Sequence, residues 1–259
     1  MKTYFGEAYL SIEQHNGLTV IEFFHPKSNS LPTQMLRELA SAFHSSGLDP
    51  ECRVILLKSG GNGAFCAGAN FDELLQIEEA EQGFQFFMGF ARVINAMRKC
   101  PQLIVGRIQG KCTGGGVGLA AACDYTIAAE GADIKLSELA VGIGPFVVGP
   151  AVERKLGHAS FSQLAIDATM WRSSAWANRH GLYAELHPDT AAMDEAVARL
   201  TDKLLHSNPE AMHELKKIFW KGTEHWDELL KERARISGKL VLSRFTREAI
   251  ARFKDKAKP

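Results

Sequence analysis

Two glycine-bearing turns hold the residue types and spacings that could do chemistry in this chain. The first reads Gly63-Ala64-Phe65-Cys66-Ala67-Gly68-Ala69-Asn70-Phe71 and runs on into Asp72-Glu73-Leu74. The second reads Gly110-Lys111-Cys112-Thr113-Gly114-Gly115-Gly116-Val117-Gly118-Leu119. Glycine permits backbone conformations that bring N–H groups close to a ligand. A helix N-terminus adds unpaired N–H groups and the positive end of a dipole. Together they could hold an anion or a developing oxyanion. Either turn alone reads more simply as a tight turn with small residues for close packing. The glycine run lacks G-x-G-x-x-G spacing and lies deep in the chain, which argues against a dinucleotide-binding loop. Cys66 would need an activating base to serve as a nucleophile, and neither turn contains a histidine. Its thiol is therefore read as filler.

These turns need a scaffold, and the first half of the chain alternates strand-like and helix-like stretches. Residues 18–24 and the short apolar runs 54–57, 103–108 and 125–128 read as strands. Residues 32–43, 84–97 and the small-residue stretch 114–123 read as helices. Such alternation points to an α/β fold with buried strands. The last third reads as helices over 190–205, 209–219, 225–242 and 244–256. Pro209 suits a helix start, and Ser243 could cap the last helix. The expected organisation is an α/β core over 1–189 and a helical region over 190–259.

Bulk properties exclude several classes. Among 259 residues, 30 basic and 30 acidic side chains cancel, so no nucleic-acid footprint is expected and self-association is weakly favoured. The cysteines are Cys52, Cys66, Cys100, Cys112 and Cys123; the number is odd and no CxxC spacing occurs. Neither a disulfide framework nor a metal site is expected. The first ten residues lack the apolar stretch of a signal peptide, and no run is long enough to span a membrane. The expected location is cytoplasmic.

The two turns in this order, with a third and a fourth stretch, resemble the enoyl-CoA hydratase/isomerase (crotonase) family. The family's F-x-A-G-A-D-L is similar to Phe65–Phe71, and its G-G-G-x-x-L-A-x-x-C-D to Gly114–Asp124. Its P-E-x-x-x-G-I/L is similar to Ser137-Glu138-Leu139-Ala140-Val141-Gly142-Ile143. Its closing E-G-x-x-A-F-x-x-K-R-K-P is similar to Glu248–Pro259. The resemblance implies a spiral of ββα turns followed by helices that build a homotrimer, often doubled to a hexamer. It implies an acyl-CoA thioester as substrate, with coenzyme A part of that substrate and no separate cofactor. The backbone N–H groups of Cys66 and Gly115 would form the oxyanion hole. Ala67, Gly68, Ala69, Asn70, Gly114, Gly118 and Phe146, with Lys254 and Lys256 near the end, would meet substrate.

Family hydratases use two glutamates, at the positions of Gly118 and Glu138 here. This chain keeps only Glu138. A single carboxylate suits 3-enoyl-CoA to 2-enoyl-CoA isomerisation, which needs no activated water. The stretch Gly142–Phe146 is also similar to the family's 3,2-enoyl-CoA isomerases. Phe146 stands where dienoyl-CoA isomerases carry an aspartate. As a base, Glu138 is expected in an apolar pocket of Leu136, Leu139, Val141, Ile143 and Phe146, with its pKa raised toward about 6–7. Gly118 would leave space for a bulkier acyl group, or for an acid from Asp72, Glu73 or Glu153. A hydratase with such a relocated acid is therefore an alternative. A different acyl-CoA chemistry on the same fold and a non-catalytic acyl-CoA-binding protein are others. Asp124 is read as structural.

Overall fold

The computed structural model describes the backbone of residues 1–256 and the side chains as far as Arg252. A seven-stranded sheet runs β1 (Lys2–Phe5), β2 (Ala8–His15), β3 (Leu18–Phe24), β4 (Val54–Ser59), β5 (Leu103–Ile108), β7 (Tyr125–Ala129), β9 (Glu185–His187), in that spatial order. The first two pairings are antiparallel and the rest parallel. Each parallel step needs a crossover, and helices supply it.

A second, very short ladder lies inside these crossovers. Its paired strands are β6 (Cys112–Thr113) and β8 (Ile134–Lys135). Single bridges continue it: Leu31 with Ala69, Cys66 with Cys112, and Ile134 with Arg172. Successive turns thus give a long strand to one sheet and a residue or two to the other. The result is a spiral of strand–strand–helix turns. The helices of the first turns are α1 (Thr33–Leu48), α2 (Phe71–Gln76), α3 (Ala80–Lys99) and α4 (Gly115–Ala122). Later come a 3₁₀ turn at Leu139–Val141, α5 (Gly149–Ile166), which Gly157 interrupts at φ 76°, and α6 (Ser174–Arg179).

The period of two along β4 divides its side chains between two cores. Ile55 and Leu57 join the large core with Met35, Leu36, Leu39 and Phe43 of α1. Val54 and Leu56 face the other side, with Met193, Ala196 and Val197. Those three belong to α7 (Thr190–Leu205), which Asp189 caps by accepting the Ala192 N–H at 2.8 Å. The helical region continues with α8 (Pro209–Phe219), α9 (Trp226–Leu240) and α10 (Arg244–Lys256). Ser243 Oγ accepts the Thr246 N–H at 3.2 Å at the start of α10.

The C-terminal helices share both cores with the spiral. α9 crosses α3 at a glycine pair: a Cβ on Gly238 would lie 2.4 Å from Phe84 N, and one on Gly83 2.7 Å from Gly238 O. α8 is tied down through Asp124, which directly precedes β7. Asp124 accepts from Lys216 Nζ at 2.5 Å, from Trp220 Nε1 at 2.8 Å and from Ile104 N at 2.8 Å. Both ions of the Lys216–Asp124 pair are almost fully buried. No helix among the described residues is long and apolar enough to cross a membrane.

Candidate active site

The two glycine-bearing turns meet at Gly68. Its φ is 81°, and a Cβ there would lie 2.6 Å from Thr113 O and 3.0 Å from Gly115 N. Only glycine accepts both that backbone conformation and that approach. Beyond it, a Cβ on Gly115 would lie 2.2 Å from Phe90 Cε1, so the ring of α3 rests directly on the start of α4.

The N–H groups of the first turn can be accounted for one by one. Cys66 N donates to Lys111 O at 3.3 Å, and Ala67 N to Ser28 O at 3.0 Å. Gly68 N donates to Cys66 Sγ at 3.4 Å, and Asn70 N to Leu31 O at 3.4 Å. Ala69 N–H has no acceptor among the described residues. The sequence expectation for Cys66 is therefore corrected: its N–H is held in the ladder beside Cys112, and the free donor lies three residues on, at Ala69. Gly115 N–H is free as well, because it opens α4 and has no residue four back to accept it within the helix.

Glu138 precedes the 3₁₀ turn, and its C=O accepts from Val141 N at 3.2 Å and Ile143 N at 3.0 Å. Its side chain turns inward. Oε1 lies 2.8 Å from where a Cβ on Gly114 would stand, so the carboxylate faces the glycine turn. Oε2 is buried and has no hydrogen-bond partner. Burial pushes the Glu138 carboxyl up from 4.5 to about 7, against a smaller lowering from its own backbone N–H.

A pocket of about 550 Å³, counting its open side, brings these groups together. Ala67, Ala69, Gly114, Gly115, Glu138 and Phe146 all line it, as do Val141 and Ile143. Three further walls complete it: Phe71 and Leu74 of α2, which continue the first motif, and Phe87 and Phe90 of α3 with Ser237 of α9, which lie outside any motif. The amphipathic pattern of α3 marks its inner face, but nothing in the sequence tells which rings reach the glycines.

Several expected positions lie elsewhere. Gly68 backs the turn and does not line the pocket. Asn70 caps α2, its Oδ1 accepting from Asp72 N at 3.0 Å and Glu73 N at 3.2 Å, while its Nδ2 donates to Ser30 Oγ at 3.2 Å. Gly118 opens no space, because Val148 fills it. Leu136 is fully buried in the core, and Leu139 is half exposed to solvent. The side chains of Lys254 and Lys256 lie outside the described residues.

The three candidate replacement acids are all engaged away from the pocket. Asp72 pairs with Lys27; Glu73 Oε2 accepts from Thr33 N at 2.7 Å and Thr33 Oγ1 at 2.9 Å; Glu153 pairs with His158 at 2.6 Å. Glu138 is the one ionisable side chain among the described lining residues. The five cysteines are free and buried, and burial pushes the Cys66 thiol up to about 12, which suits filler rather than a nucleophile. No group of three metal-ligating side chains occurs among the described residues.

Comparison with known proteins gives this geometry a family. The profile described as enoyl-CoA hydratase/isomerase matches residues 13–259. A "Probable enoyl-CoA hydratase" of Bacillus subtilis is 28% identical over 252 residues, covering 96% of each chain. The "Methylglutaconyl-CoA hydratase, mitochondrial" of Rattus norvegicus is 29% identical over 217 residues, 82% of this chain and 68% of the relative. The crystal structure of an enoyl-CoA hydratase from Bacillus halodurans superposes with a TM-score of 0.86 at 20% identity, covering 94% of this chain and 99% of the other. The spiral is thus the crotonase fold, and the chain belongs to the enoyl-CoA hydratase/isomerase family.

Proposed function

We propose that this protein acts on an acyl-CoA thioester and moves a carbon–carbon double bond, converting a 3-enoyl-CoA to a 2-enoyl-CoA. The observation that carries the reading is the lone Glu138 carboxylate, turned into an apolar pocket against Gly114. In this reading the thioester oxygen accepts from Ala69 N–H and Gly115 N–H. Glu138 takes a proton from C2, and the electron pair spreads over a dienolate held by those two donors. The same carboxyl returns the proton at C4, so C2=C3 replaces C3=C4 and no atom is lost. A carboxyl with a pKa of about 7 is suited to both halves of that transfer. Each preorganised donor of this kind contributes about 3 kcal/mol to the transition state.

A hydratase is the second reading, and the name of the Bacillus subtilis relative favours it. Hydration would need a second group to hold water, and the described lining offers no second carboxylate. Incubation with 3-enoyl-CoA and 2-enoyl-CoA in parallel separates the readings. Isomer without hydroxyacyl product supports the first; 3-hydroxyacyl-CoA from 2-enoyl-CoA supports the second.

A trimer or hexamer belongs to the same proposal. Leu215, Ile218 and Phe219 of α8 are exposed apolar side chains, which supports burial of this helix between subunits. Light scattering on the purified protein tests it.

A further inference from the structure

Ser237 is buried, with 1% of its surface exposed, and it lines the acyl pocket. It is a helix-interior serine that does not use its hydroxyl in the usual way. Thr201 Oγ1 donates to Val197 O at 2.9 Å, Ser207 Oγ to Lys203 O at 2.9 Å and Ser162 Oγ to His158 O at 2.6 Å, each to the carbonyl four residues back. Ser237 Oγ makes no such bond, and no other described group pairs with it. Oγ is not fully enclosed but opens on the pocket, so a chain that displaces the water there and offers no polar group leaves it without a partner, which is unfavourable.

The position of Ser237 is fixed by its neighbour. Gly238 rests on the backbone of α3 at Gly83 and Phe84, where even a Cβ would collide. Phe90, seven residues further along α3, rests on Gly115. At 1.5 Å per residue the two contacts lie about 10 Å apart along the helix. Phe87, between them, lines the same pocket. An extended chain advances about 1.2 Å per bond and a hydrogen bond spans about 2.8 Å more, so an oxygen on an acyl group held at Gly115 comes within reach of Ser237 after roughly six to eight bonds.

We infer that Ser237 is a specificity-determining residue: its hydroxyl recognises a neutral oxygen function, a hydroxyl or keto group, carried on the acyl chain far from the thioester. This rests on the acyl-CoA reading above, though not on whether the reaction is isomerisation or hydration. The group recognised is neutral because no Lys, Arg or His lines the pocket among the described residues. A carboxylate there would be desolvated with no counter-charge. A plain alkyl chain would leave the Ser237 hydroxyl unpaired, and sites built to hydrogen-bond a substrate group discriminate against the analogue that lacks it.

The test is calorimetric binding of saturated, unreactive thioesters: octanoyl-CoA against octanoyl-CoA bearing a hydroxyl at carbon 6, 7 or 8. Wild type is expected to bind one of the hydroxylated compounds about five- to tenfold more tightly than octanoyl-CoA, the value of one net hydrogen bond. In Ser237→Ala that preference falls to about one, and Ser237→Cys, which keeps the shape with a weaker donor, falls between. Equal affinities in wild type overturn the inference and leave the acyl-CoA reading standing. A preference that survives Ser237→Ala also overturns it. If none of the thioesters binds, the acyl-CoA reading fails and takes the inference with it.

Discussion

Val148 occupies the space beside Gly118: a Cβ on Gly118 would lie 2.6 Å from Val148 Cγ1 and 2.7 Å from Val148 Cβ. The glycine is thus matched to a valine and gives no room to substrate, water or a second acid. Gly118→Ala is expected to cost about 1–3 kcal/mol of stability through overpacking. With Val148→Ala added, the double variant should lose less than the sum of the two single losses, because the sites share one volume. Chemical denaturation of the four proteins measures the coupling.

Ala69 N–H is the free donor of the first turn, and proline at that position removes it without breaking any ladder bond. Ala69→Pro is expected to lower kcat by about 10²–10³ while the fold persists. Thermal melting and circular dichroism check the fold. Unchanged turnover in a folded variant would remove Ala69 from the oxyanion hole.

The Glu138 carboxyl carries a pKa of about 7 in the folded protein against 4.5 in a free chain, because burial disfavours its charge. As a base it must be ionised, so kcat/KM should rise with pH through about 7 and level off above. The folded state holds this proton longer than the unfolded chain does, so between pH 4.5 and about 7 stability falls as pH rises. Glu138→Gln removes that penalty. It should gain stability relative to wild type at pH 8 by on the order of 2 kcal/mol, with the gain absent near pH 4. Melts of both proteins across pH read the difference directly.

Asp124 joins β5, α8 and its own loop through buried bonds to Ile104, Lys216 and Trp220. Asp124→Ala leaves the Lys216 ammonium buried and unpaired. It is expected to destabilise by about 3–5 kcal/mol. Asp124→Ala with Lys216→Met should recover much of this, because the stranded charge is gone.

The elements with a strong apolar period were legible. β3, β5, α7, α8 and α10 occupy the ranges that the sequence indicates. α1 runs five residues further, because Ser46 continues the buried face of Leu39, Ala42 and Phe43 past the expected end. The inner ladder was not legible, since each turn gives it only one or two residues and no alternation can show in so short a piece. Residues 2–15 form a hairpin that the pattern does not announce, because β1 is half exposed and the last residues of β2 face solvent. Motif position picked Glu138, Gly115 and the turn that faces them, and the structure brings these residues to one pocket. Motif position placed the second donor on Cys66 rather than Ala69, because which N–H stays free depends on Lys111, Ser28 and Leu31, contributed by other turns of the spiral. Ser237 lay beyond any motif, since its place in the pocket depends on how closely two glycines let α3 and α9 approach.

In the proposed function one carboxylate, Glu138, moves the proton. The most direct measurement gives 3-enoyl-CoA and 2-enoyl-CoA separately to wild type and to Glu138→Gln, with products resolved by chromatography. The expected result is 2-enoyl-CoA from 3-enoyl-CoA in wild type, no 3-hydroxyacyl-CoA from either, and a loss of about 10²–10⁴ in rate in Glu138→Gln. Equal turnover by the variant, or rapid hydration of 2-enoyl-CoA by wild type, would contradict it.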